Sequence, residues 1–124
     1  MDNISQPTVV PDDVLLVSVQ PYSQRNDVLA QARAMIEECH RRGLTRVLAD
    51  THLLGDRIDI VDRILVGLQM PQLWPADIRL AVLCTDIQML PTLPFEHAAS
   101  GRNTPVRVFT ERDEALRWLR EAVV

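Results

Sequence analysis

Lysine is absent from the chain, and all 13 basic residues are arginine. That absence excludes Schiff-base chemistry, which needs a lysine amine, and a P-loop, whose lysine reaches the phosphates. It also excludes the lysine-dependent switch of a response-regulator receiver, even though Asp50 and Asp86 stand where such a domain places acidic residues. Aromatic residues make up only 4%, so the interior must be mainly aliphatic. With only four glycines, neither GxGxxG nor GxSxG occurs, which removes the dinucleotide fingerprint and the nucleophile elbow. No run approaches the roughly eighteen apolar residues of a membrane-spanning helix, and the N-terminus lacks a basic segment followed by an apolar one. No transmembrane segment and a cytoplasmic location are therefore expected.

A formal charge of −4 and a pI near 5.3 argue against a nucleic-acid partner, because displacing counterions from phosphates needs a basic face. The two cysteines, Cys39 and Cys84, sit in apolar patterns without a CxxC or zinc-type spacing, and they read as buried, reduced thiols. His40, His52 and His97 fall on three different elements with no pair at helical spacing, so no metal site is expected. No cofactor is implied either.

At 124 residues with 47% hydrophobic and 24% charged side chains, the chain fits one globular domain spanning 1–124, with residues 1–6 frayed. Thr8–Val10 reads as a short edge strand. Four β-rich runs follow: Asp13–Gln20, Thr45–Asp50, Ile78–Thr85 and Val106–Phe109. Between the first two, Val28, Leu29, Ala32, Met35, Ile36 and Cys39 recur at helical spacing. Ser23 or Asn26 would cap that helix, and Gly43 would close it behind Arg41 and Arg42. A second helix, capped by Asp56, would bury Ile58, Val61, Ile64, Leu65 and Leu68 and stop at Pro71 and Pro75. A short helix over Phe95–Ser100 and a last one from Glu111 complete the pattern. Thr110 and Asp113 suggest a capping box for that last helix, with Trp118, Arg112, Arg117 and Arg120 to the side of its buried stripe.

Strands alternating with helices imply an α/β fold: a four- or five-stranded, mostly parallel sheet flanked by about four helices, with right-handed crossovers.

The C-terminal string FEHAASGRNTPVRVFTERDEALRWL resembles the signature end of the STAS-like family, also called SpoIIAA-like, which shares its architecture with lipid-binding CRAL-TRIO domains. The earlier string GLTRVLADTHLLGD resembles the strand and loop before that family's second helix. Together they cover about a third of the chain, and the rest matches in element order. The resemblance implies a STAS fold used for protein contacts in signalling or for holding an apolar ligand, and it does not imply an enzyme. Members that act as anti-sigma-factor antagonists carry a phosphorylatable serine in an Asp-Ser-Ser-Gly or Asp-Ser-Gly setting. The counterpart here reads DTHLLGDR, with Thr51 as its only hydroxyl.

Ligands of open α/β sheets gather at the carboxyl ends of strands. The residues there are Tyr22 after the first β-rich run, Asp50, Thr51 and His52 after the second, and Asp86 after the third. Asp50 with His52 could move a proton or fix a polar group. The simpler reading is that Asp50 accepts backbone N–H bonds in the turn and that Asp86 caps the next segment. Met70, Leu73 and Trp74 read first as core. Their alternative is a partner or apolar-ligand surface, since methionine and aromatic side chains give adaptable contact area. The function expected is a non-enzymatic interaction module that acts through a protein partner, with self-association as a homodimer. The alternative is a lipid- or small-ligand-binding protein with its pocket between the second helix and the sheet.

Overall fold

The computed structural model describes residues 7–10, 13–21, 25–54, 60–86, 96 and 104–121. The elements are β1 (Thr8–Val10), β2 (Val14–Ser18), α1 (Arg25–Arg42), β3 (Arg46–Asp50), a 3-10 turn (His52–Leu54), α2 (Ile60–Leu73), β4 (Arg79–Leu83), β5 (Val106–Phe109) and α3 (Arg112–Arg120). They build one α/β unit around a five-stranded sheet in the order β1-β2-β3-β4-β5. β1 is antiparallel to β2, and the other four strands run parallel. The expected short helix over Phe95–Ser100 lies outside the described residues apart from Glu96, which is helical. Three α-helices are therefore described.

Period-two alternation gives the sheet two apolar faces. On one face Leu15, Val17, Val47, Ala49, Leu80, Val82, Val106 and Val108 pack against α1 and α2. On the other, Val14, Leu48, Ala81, Leu83 and Phe109 pack against Ala115 and Leu119 of α3. Consecutive strand order explains this division. Two right-handed crossovers stepping in the same direction put α1 and α2 on one side, and α3 turns back over the other. Because the order of the described sheet never reverses, it has no switch-point crevice of the kind that binds ligands in doubly wound sheets.

α1 closes as its sequence requires. Gly43 takes a φ of +68°, and Leu44 N–H donates to Cys39 O at 2.8 Å, the six-to-one bond of a Schellman motif. Its start differs from expectation: the helix already includes Asn26, so Asn26 is not its cap, and Ser23 lies outside the described residues.

α2 departs further. Pro71 lies inside the helix instead of ending it. The ring removes one N–H from the last turn, and Trp74 N–H donating to Met70 O at 2.7 Å closes the turn beyond it. Among the described residues of α2, Val66, Gly67 and Met70 are buried, while Leu68 is 43% exposed. Asp56 and Ile58 lie outside the described residues.

α3 starts one residue later than a cap at Thr110 requires. Glu111 occupies the N-cap with no side-chain capping bond, so the capping box does not form. Asp113 and Glu114 still place negative charge in the first turn. Trp118 is half-buried against the α3-side core, and it stacks with Phe109 at a centroid distance of 5.8 Å.

Candidate functional site

β3 ends at Asp50, between Ser18 of β2 and Leu83 of β4. The backbone ladder continues past that point, because Val19 N–H donates to Asp50 O at 2.8 Å and Thr51 N–H to Leu83 O at 2.9 Å. Thr51 is buried, and its hydroxyl donates to the same Leu83 oxygen at 3.0 Å. That hydroxyl is therefore committed to the sheet. Leu54 N–H donating to Thr51 O at 3.0 Å then winds the chain into the 3-10 turn.

The Asp50 carboxylate accepts the backbone N–H of His52 at 2.9 Å, an Asx turn that satisfies the first donor after the strand. The same oxygen also meets His52 Nδ1. Both side chains remain partly in water, 33% exposed for Asp50 and 50% for His52. With Nδ1 held, Nε2 is the ring nitrogen available to a ligand. An Asp–His pair orients an imidazole, but nucleophilic catalysis also needs a reactive hydroxyl or thiol beside it. The neighbouring hydroxyl, on Thr51, points into the sheet.

Next to this loop, the chain after β2 is fixed from α1. The Gln31 side chain, only 3% exposed, accepts Gln20 N–H at 2.7 Å and donates to Gln20 O at 2.9 Å. One amide thus pairs a complete backbone unit, as another strand would. Tyr22, beyond it, lies outside the described residues. Thr85 is half-buried and Asp86 exposed after β4.

Comparison with protein-family models, with curated proteins and with solved structures finds no match. The geometry of the chain itself therefore carries the functional reading.

Met70, Leu73 and Trp74 occupy the opposite end of the molecule. α2 runs back from the end of β3 to the start of β4, so one strand length, about 17 Å, separates them from His52. Met70 and Trp74 are 2% and 4% exposed, and Leu73 packs against the same core. The indole N–H of Trp74 donates to Ile78 O at 2.7 Å, which closes the turn into β4. These side chains fill the interior instead of forming a surface. α2 is apolar around much of its circumference, so its sequence does not state which side turns inward. Among the described residues, the large apolar side chains left in water are Val9, Leu53 and Leu68, at 46%, 57% and 43%.

Leu53, Gln31 and the outward turn of Leu68 escape a reading by sequence. Leu53 is set by the 3-10 turn, and Gln31 by a backbone partner that has no signature. Neither thiol offers chemistry here. Both cysteines are buried and outside any disulfide, and burial, with the negative charges of Glu38 and Asp77, pushes Cys39 up to about 11. Among the described residues no three His, Cys, Asp or Glu side chains converge as metal ligands. No described helix is long and apolar enough to cross a membrane.

Proposed function

We propose that the chain is a STAS-like module that acts by binding, through self-association over α2 and the turn that precedes it. The observation that carries this reading is the exposure of Leu53 and Leu68 on those two consecutive elements. At 57% and 43% exposure, each side chain forgoes roughly half of the ~1.5–3 kcal/mol that complete burial of a leucine gives, and an interface would recover it. The strings FEHAASGRNTPVRVFTERDEALRWL and GLTRVLADTHLLGD support the family reading, and so does the order of strands and helices around them. The buried hydroxyl of Thr51, donating to Leu83 O, favours constitutive binding over a phosphorylation switch at this loop. The Asp50–His52 pair then serves to shape the turn that presents Leu53.

A pocket between α2 and the sheet has less support, since Val66, Met70 and Trp74 are packed into that space with Val82 and Leu80. Copurified lipid found by mass spectrometry would restore it.

Light scattering coupled to size exclusion, over micromolar concentrations, tests the proposal. A dimer mass is expected for the wild type, and a monomer mass for Leu53→Asp and Leu68→Asp at unchanged circular dichroism. A wild type that stays monomeric throughout overturns the reading.

A further inference from the structure

Among the described residues, β5 is an edge of the sheet, with a neighbouring strand on one side only. Leu80 N–H donates to Pro105 O and Cys84 N–H to Phe109 O, each at 2.9 Å. The odd-numbered residues of β5 therefore face β4, and the backbone groups of Val106 and Val108 turn to the open side. Both outward donors have partners. Val106 N–H donates to Thr104 O at 2.9 Å, and Val108 N–H donates to the Glu96 carboxylate at 2.6 Å.

Unpaired edge donors are a template on which another strand can form. A side-chain acceptor removes that template: it takes the N–H and, unlike a strand, presents no further backbone ladder on which to pair. The sequence VRVF would otherwise suit pairing, being β-branched and aromatic. Its one charge, Arg107, lies over the Phe109 ring at 5.4 Å. At the other edge, β1 is only three residues long, and shortness alone blunts such an edge.

We propose that Glu96 is an edge cap on β5, and that the strand it excludes is β5 of a second copy, paired antiparallel about a two-fold axis. One edge suffices for that pairing, because an isologous contact uses the same surface on both copies. β1, short and oppositely directed, does not supply the partner strand. This proposal is independent of the α2 surface: one concerns the sheet edge, the other a helix on a sheet face.

Amide hydrogen exchange at Val108, combined with light scattering, tests it. In the wild type the Val108 amide exchanges at least about tenfold more slowly than an open edge amide. In Glu96→Ala at low concentration that protection is lost. As concentration rises, protection returns while the mass grows to roughly twice the wild-type value at the same concentration. Glu96→Gln keeps an acceptor oxygen and behaves as the wild type. Glu96→Asp, one carbon shorter, behaves as Glu96→Ala and serves if the alanine variant does not fold. An unprotected wild-type Val108 amide overturns the proposal, as does a folded Ala or Asp variant whose mass equals that of the wild type. Failure of both variants to fold makes Glu96 a structural tether and overturns it as well.

Discussion

Gln31 carries an amide into an aliphatic interior, and its two bonds to Gln20 are what make that tolerable. Leucine at this position would fill a similar volume and strand the N–H and C=O of Gln20 near the core. A buried polar group without a partner costs about 1–3 kcal/mol, more than one added apolar contact returns. Gln31→Leu is therefore expected to lower stability by about 1–3 kcal/mol in urea unfolding. A neutral or stabilising result would mean that water replaces the side chain. Cys39 makes a pH prediction. Its folded value of about 11 lies above the ordinary 9.0 because burial disfavours the thiolate. The native state holds the proton more tightly, so this contribution is complete below about pH 9 and is lost as pH rises toward 11. Its size is about 2–3 kcal/mol. Unfolding free energies measured across that window should fall in the wild type, and fall less in Cys39→Ala.

At the scale of elements, α3 is held by its far end. Arg46 and Arg79 stand side by side at the starts of β3 and β4. Arg46 Nε donates to Leu119 O at 2.8 Å and Arg79 to Trp118 O at 2.6 Å. Two guanidinium groups thus meet the negative end of the helix dipole, and Arg79 also lies over the Trp118 ring at 5.4 Å. Arg79→Met keeps the hydrocarbon stem and removes the donor. A loss of about 1–2 kcal/mol is expected, with a change in Trp118 emission as the ring loses the nearer of its two cations, Arg107 remaining at 5.9 Å. An unchanged emission would place the stabilising contact elsewhere. How much of this was legible in the sequence depends on where each signal lives. Val106–Phe109 and the βαβ unit before it were readable, because continuous β-branched runs and a helical stripe closed by Gly43 are local patterns. The turn at Asp50 was readable for the same reason. The inward side of α2 and the docking of α3 onto two arginines were not. Each depends on a partner distant in sequence, as Arg46 does on Leu119, and composition within a window carries no record of it.

For the molecule as a whole, the sheet is the structure shared by two unequal cores. The larger lies under α1 and α2, the smaller under α3 alone. Val14, Leu48 and Ala81 on the α3 side alternate along the same strands with Leu15, Val47 and Leu80 on the other. A strand that leaves one core therefore leaves both. This predicts a single cooperative transition, as small domains with one shared scaffold usually show, despite the thin cover that α3 provides. The two tryptophans report on the two sides separately, Trp74 from the larger core and Trp118 from the smaller. In Trp74→Phe the remaining emission follows α3, and in Trp118→Phe it follows α2. Within each variant, the urea midpoint by fluorescence is expected to coincide with the midpoint by far-ultraviolet circular dichroism. If Trp118 emission changed well before the circular dichroism did, α3 would be leaving the sheet as its own unit. The face it covers would then be exposed while the parallel strands still stood, a state that Arg46 and Arg79 oppose by fastening the helix end to the same strands.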